Sequence, residues 1–98
     1  SSTPSASSAL EFQNYMAAVN SPGAIGTKEK KLMALALSVV TRCEPCVKIN
    51  IDAARAAGAS DREISEAAAL GIAFGGAPTA MFYNNIRRPA SAVEDEKD

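Results

Sequence analysis

Residues 32–40 read LMALALSVV, and residues 41–50 read TRCEPCVKIN. The first run is apolar on nearly every side of a helix, and its Ala, Leu and Met favour a helix over a strand, so it predicts a buried central helix. The second run holds both cysteines of the chain, Cys43 and Cys46, with Pro45 between them. Because proline is tolerated in the first turn of a helix, the next helix is expected to begin near Cys43.

Helix-breaking residues divide the rest of the chain. They are the segment NSPG at 20–23, Gly58, the segment GGAP at 75–78, and Pro89. Thr27 is expected to cap the second helix, and Ser60 with Glu63 has the spacing of a capping box that opens a fourth. The sequence therefore predicts an all-α chain of about five helices.

Length and composition fit one small domain. The chain has 98 residues, of which 47% are apolar. Residues 1–8, SSTPSASS, are expected to form a disordered arm, residues 9–88 a single helical domain, and residues 89–98 a flexible acidic tail. Five short helices cover a fully apolar central helix poorly, so apolar surface is expected to be buried between subunits of a homo-oligomer.

Several classes of function are excluded by composition. No apolar run approaches the roughly 18–20 residues that span a membrane, and 10 basic against 11 acidic residues give no excess charge for nucleic acid. The chain has no histidine, which removes Ser-His-Asp and Cys-His catalysis and any histidine metal ligand. With two cysteines and no signal segment, a cytoplasmic protein is expected.

The C-x-x-C motif is the one pattern that carries chemistry. At the start of a helix, free N–H groups and the helix dipole favour a thiolate, so one cysteine can attack a disulfide or a peroxide and the other can close a disulfide. A tetrahedral metal site needs four ligands, so metal binding would require cysteines shared between subunits. No metal, flavin or haem cofactor is expected.

The stretch from Lys31 to Asn50, with LALS at 35–38 and CEPC at 43–46, resembles the AhpD-like alkylhydroperoxidase / carboxymuconolactone decarboxylase family. The segment AGAS at 57–60, Glu63-Ile64, and the segment from GGAP to Tyr83 resemble it as well. The resemblance implies an AhpD-like helical bundle that assembles as a trimer or hexamer. It also implies that Cys46 attacks peroxide and that Cys43 resolves the intermediate.

Two positions depart from the family pattern. Lys31 stands where the family has a Glu, and Asn50 where it has a His, and the resemblance makes that Glu and His a proton relay to the second cysteine. Asn50 can form hydrogen bonds near Cys46 but cannot act as a general base. Lys31 either favours the thiolate by its charge or points to solvent, and Asn50 either supports the site or is a structural polar group.

These observations predict a thiol-dependent oxidoreductase that uses Cys43 and Cys46, with Lys31 and Asn50 as supporting residues. Its substrate would be a peroxide or a disulfide, and its reductant a protein thiol. One alternative is a catalytically weak or inactive family member that serves as an oligomeric interaction scaffold. The other is a metal-binding module built between subunits.

Overall fold

The computed structural model describes residues 6–87 as five α-helices joined by short turns. They are α1 (Ala6–Asn20), α2 (Thr27–Val40), α3 (Glu44–Ala56), α4 (Asp61–Gly75) and α5 (Ala77–Arg87). The all-α prediction and the expected number of helices are confirmed, and none of these helices is long and apolar enough to cross a membrane. The predicted tail at 89–98 and all of the predicted arm except residues 6–8, which open α1, lie outside the described residues.

The helix ends follow the residues that mark them in the sequence, with one shift. Gly26, not Thr27, is the N-cap of α2, and its carbonyl accepts the first helical hydrogen bond from the N–H of Lys30 at 3.0 Å. Beyond α3, Gly58 takes a φ of +97°, which glycine adopts without a steric penalty. The capping box of α4 is confirmed, because Ser60 Oγ accepts from the N–H of Glu63 at 3.1 Å and Glu63 Oε1 accepts from the N–H of Ser60 at 2.9 Å.

The central position predicted for α2 is confirmed, because it packs against α3, α4 and α5. Its residues Leu35 and Val39 are fully buried. They form a core with apolar residues of the other three helices and of the turn before α4, namely Val47, Ala54, Ala59, Ile64, Ala67, Ala68 and Tyr83. Another face of α2 is uncovered, since Leu37 is 65% exposed and Met33 is 51% exposed.

Helix α1 stands apart from the four-helix core. It does not pack closely against any of the other four described helices, and none of its residues belongs to the buried core. The radius of gyration is 16.1 Å, whereas a compact domain of this length has about 13 Å. The other four helices thus hold the core and the two cysteines, and α1 extends the molecule.

Candidate active site

The turn that ends α2 sets the position of Cys43. The N–H of Cys43 donates to the carbonyl of Ser38, and the N–H of Arg42 donates to the carbonyl of Val39, each at 3.1 Å. These two bonds form a Schellman motif, which requires a left-handed residue after the helix cap. Arg42 fills that place with a φ of 54°, although glycine is the usual occupant. The last turn of α2 therefore holds Cys43 directly through backbone hydrogen bonds.

Both cysteines lie at the N-terminus of α3, as predicted. Cys43 is the N-cap, Pro45 lies in the first turn, and the carbonyl of Cys43 accepts the first helical bond from the N–H of Val47 at 3.0 Å. An N-cap side chain accepts hydrogen bonds from the second or third helical N–H. Pro45 is the second helical residue and has no N–H. The N–H of Cys46, the third helical residue, is therefore the one that can stabilise a Cys43 thiolate.

Cys43 and Cys46 are joined by a disulfide, with their Cα atoms 5.3 Å apart. Both residues are partly exposed, so a small oxidant or a thiol can reach them. Exposure and a helix N-terminus are two of the conditions that make a cysteine reactive. The pair thus has the exposure and the helix position that thiol–disulfide chemistry requires.

Charged side chains flank the pair on both sides. Arg42 directly precedes Cys43 and favours a thiolate by its charge. Glu44 follows Cys43 and would disfavour it, but its carboxylate is paired with the ammonium of Lys48 at 3.3 Å. The residues directly beside Cys43 are thus one cation and one carboxylate that is already paired. Arg42 was not predicted as a site residue, although a cation adjacent to C-x-x-C is visible in the sequence.

Asn50 lies one helical turn after Cys46 and contacts α2. Its Nδ2 donates to Oγ of Ser38 at 2.9 Å, and that hydroxyl donates to the carbonyl of Ala34 at 2.7 Å. Ser38 is buried and Asn50 is partly exposed. Ser38 lies in the segment LALS at 35–38 but was not predicted as a site residue. Its hydroxyl lies within an otherwise apolar run of the sequence. Because a buried hydroxyl needs a hydrogen-bond partner, such a position indicates a polar contact with another segment.

Lys31 lies at a distance from the cysteine pair. Its Nζ donates to Oδ1 of Asn20 on α1 at 2.8 Å, so the side chain neither points freely to solvent nor contacts a cysteine there. Along α2, Lys31 is seven residues before Ser38, which corresponds to about 10 Å. The structure therefore brings Cys43 and Cys46 together beside Arg42, and Asn50 against Ser38, while Lys31 binds α1.

Nowhere in residues 6–87 do three or more His, Cys, Asp or Glu side chains come close enough to hold a metal ion. Cys43 and Cys46 are also the only cysteines of the chain. A metal site that uses them would need further ligands from outside residues 6–87.

Comparisons with known proteins bear on the fold that holds this site. A model of the carboxymuconolactone decarboxylase family matches residues 8–85. An uncharacterised protein of Cupriavidus necator is 35% identical over 79 residues, which are 81% of this chain and 68% of that protein.

Solved structures of two bacterial proteins are similar to the whole described fold. A carboxymuconolactone decarboxylase family protein of Thermotoga maritima, for which a part in the antioxidative response has been suggested, is 31% identical with a TM-score of 0.75. The match covers 96% of this chain and 94% of that one. A protein of the same family from Legionella pneumophila, in its apo form, is 25% identical with a TM-score of 0.73, over 89% of this chain and 75% of that one.

Proposed function

The chain belongs to the carboxymuconolactone decarboxylase family, and from that premise we propose that it is a thiol-dependent oxidoreductase of the alkylhydroperoxidase type. The observation that carries the proposal is the disulfide between Cys43 and Cys46 at the N-terminus of α3. A partly exposed pair at a helix N-terminus has the electrostatics that lower a thiol pKa. The suggested antioxidative role of the Thermotoga maritima protein is in line with this chemistry.

The proposed reaction with peroxide has two steps. The Cys46 thiolate attacks the terminal oxygen of ROOH, the O–O bond breaks, and RO⁻ takes a proton and leaves as ROH. The Cys43 sulfur then attacks the Cys46 sulfenic acid, forms the disulfide and releases water. A dithiol reductant restores the pair by two exchange steps and leaves as a disulfide.

The site supports thiol–disulfide exchange more strongly than fast peroxide reduction. Exchange needs a thiolate, which the helix N-terminus and Arg42 favour. Peroxide reduction also needs a proton for the leaving RO⁻, and neither Asn50 nor Lys31 replaces the Glu and His relay of the family pattern. General acid–base help is worth about 10²–10⁴-fold, so slow peroxide turnover is expected beside efficient exchange.

The remaining expectations complete the proposal. A protein thiol is the proposed reductant, and the cytoplasm, where thiols are kept reduced, is the proposed compartment. A homo-oligomer is the proposed assembly, because apolar side chains of α1, α2 and α4 are exposed among the described residues. The family resemblance implies a trimer or a hexamer. No nucleic acid, membrane or bound cofactor has a part in the proposed reaction.

The rate of thiol alkylation against pH tests the proposal. The reduced parent is compared with Cys43→Ser and Cys46→Ser, and the double variant is the control for other reactive groups. The expected result is an apparent pKa well below the ordinary value of about 8.5, kept in one of the two single variants and lost in the other, which identifies the nucleophile. A second assay follows consumption of tert-butyl hydroperoxide with dithiothreitol as reductant, which should require the cysteine that has the lowered pKa.

An unshifted pKa in every protein, with no consumption of peroxide and no exchange with a disulfide, would overturn the proposal. That result would favour the second candidate, an oligomeric scaffold without catalysis. One observation favours that candidate. Lys31 donates a hydrogen bond to α1 and Asn50 donates one to α2, and such bonds between helices are what a purely structural role requires.

A further inference from the structure

Helix α1 carries an apolar stripe that the other residues in the described range, 6–87, leave largely uncovered. Phe12, Tyr15, Met16 and Val19 have the i, i+3, i+4, i+7 spacing of one helix face, and they are between 40% and 65% exposed. Glu11 is the only charged residue of the helix. A helix of 15 residues is marginal by itself in water, and it is stabilised in proteins by packing its apolar face. The stripe is therefore expected to pack against another apolar surface.

A matching surface lies between α2 and α4, and we name it the α2–α4 groove. On α2 it is lined by Met33, Ala36, Leu37 and Val40, and on α4 by Ala67, Leu70, Gly71 and Phe74, with Leu32 at one end. Every lining residue is apolar. Its most exposed members are Phe74 at 84%, Leu37 at 65% and Leu70 at 59%.

The stripe and the groove match in spacing, length and size of side chains. Each of the two groove walls repeats the i, i+3, i+4, i+7 spacing of the α1 stripe, and in all three helices seven residues correspond to about 10 Å. The groove is deepest where its lining residues are small, at Ala36, Ala67 and Gly71. The aromatic side chains Phe12 and Tyr15 on α1 are large enough to fill it.

Hydrogen bonds hold α1 in a direction that keeps most of its stripe away from its own groove. Lys30 Nζ donates to the carbonyls of Val19 and Ser21 at 2.8 and 2.6 Å, and Lys31 Nζ donates to Asn20. Two cations at the C-terminus of α1 also suit the helix dipole. Met16 and Val19 reach only the edge of α2 at Met33 and Leu37, while Phe12 and Tyr15 remain more than 60% exposed.

We propose that α1 of one copy packs into the α2–α4 groove of a second copy, so that subunits exchange their first helices. This inference rests on the homo-oligomer of the proposed function and names its contact surface. If each copy gives one helix and receives one, the contact forms twice, and the four stripe residues and the nine residues that line the groove are covered in both copies. A small ligand fits less well, because ligand pockets add polar groups that fix orientation and this groove has none.

Two full-length variants and their mixture test the exchange. Phe12→Glu places a charge on the stripe, and Leu37→Lys places one in the groove. Each variant alone is expected to lose the contact and to show a mass below that of the parent by light scattering. Mixed in equal amounts, they are expected to regain the parent's mass, because an intact α1 meets an intact groove and Glu meets Lys at the other contact.

Met81→Glu is the matched control, since Met81 is 68% exposed but lies on α5, away from the stripe and the groove. It should keep the parent's mass, and helical circular dichroism should show all variants folded. A monomeric parent, variants that keep the parent's mass, or a mixture that does not regain the parent's mass would each overturn the exchange. The alkylation assay is independent of mass, so inert thiols in an oligomer would refute the proposed chemistry alone.

Discussion

Asn50 donates a hydrogen bond of 2.9 Å from its Nδ2 to the Oγ of Ser38, and this bond joins α3 to the buried face of α2 beside the cysteine pair. The Ser38 hydroxyl donates onward to the carbonyl of Ala34. An amide in this place orients a hydroxyl but accepts no proton at neutral pH. The position one turn after Cys46 is thus filled by a group that can support the site without acting as a base.

Restoring a base at that position should restore fast peroxide chemistry. Asn50→His is expected to raise the rate of peroxide reduction by about 10²-fold or more, because general-base help is commonly of that size. The gain should depend on pH around the imidazole pKa, near 6.5, because the ring must accept a proton from the thiol and donate one to the leaving RO⁻. Peroxide consumption with excess dithiothreitol measures it. Asn50→Gln keeps an amide and is the control, and equal rates for the two variants would contradict the expectation.

Arg42 combines a backbone cost with a charge next to Cys43. A left-handed φ costs a non-glycine residue about 1–2 kcal/mol, so Arg42→Gly is expected to raise the free energy of unfolding by about 1 kcal/mol. The same change removes a cation and is expected to raise the apparent thiol pKa. Urea unfolding and alkylation against pH measure the two effects. Arg42→Lys keeps both the charge and the strain, so it should change neither quantity; a Gly variant less stable than the parent would argue against the strain.

Lys31 is expected to act on α1 and not on the thiols. Lys31→Ala removes the hydrogen bond to Asn20 and should lower the free energy of unfolding by about 0.5–1.5 kcal/mol, while the apparent thiol pKa stays at the parent's value. Lys30→Ala, which removes the neighbouring bonds to Val19 and Ser21, is the comparison. A raised thiol pKa in Lys31→Ala alone would instead support the role that its place in the sequence first indicated.

The helices and the cysteine pair could be predicted because their signals are local. Pro45 in the first turn, Gly58 after α3 and the Ser60–Glu63 box each act within a few residues of a helix end, where backbone hydrogen bonds decide the structure. The sequence also resembled one family in the order of several of these segments. That resemblance is confirmed by the family model that matches residues 8–85.

The partners of individual side chains could not be predicted, because they depend on how distant segments meet. The bond from Lys31 to Asn20 joins residues on two helices whose relative direction no sequence pattern gives. The bond between Asn50 and Ser38 likewise needs the register of α3 on α2. The left-handed φ of Arg42 was missed since glycine is the usual sign of that conformation.

Glu63 should make stability depend on pH on the acid side. Its pKa is lowered by the hydrogen bond from the backbone N–H of Ser60 and by the ammonium of Lys28 at 3.0 Å. A carboxyl whose pKa is lower in the folded state stabilises the fold above its unfolded pKa, near 4.5, and this contribution is lost as the pH falls through the folded pKa. The parent is therefore expected to exceed Glu63→Gln in stability at pH 6 and to lose that advantage in strong acid.

Urea unfolding at several pH values between 6 and about 2 measures this difference. Glu66→Gln, at an exposed position of the same helix, is the matched control for the loss of a negative charge. A difference between the parent and Glu63→Gln that stays constant across the whole range would mean that the cap and the Lys28 pair do not depend on the charge of Glu63.

Gly71 is expected to be required for the close approach of α2 and α4. A Cβ at this position would lie 2.6 Å from the carbonyl oxygen of Ala36 and 2.9 Å from Cβ of Val39, and the former is backbone that cannot turn away. Overpacking of this kind costs about 1–3 kcal/mol, which exceeds the gain of up to about 1 kcal/mol from replacing glycine inside a helix. Gly71→Ala should therefore lower the midpoint of urea unfolding. Gly23→Ala, where a Cβ meets nothing within 4 Å, should leave it unchanged or raise it slightly; a stabilised Gly71→Ala would mean that the two helices lie farther apart than the structure places them.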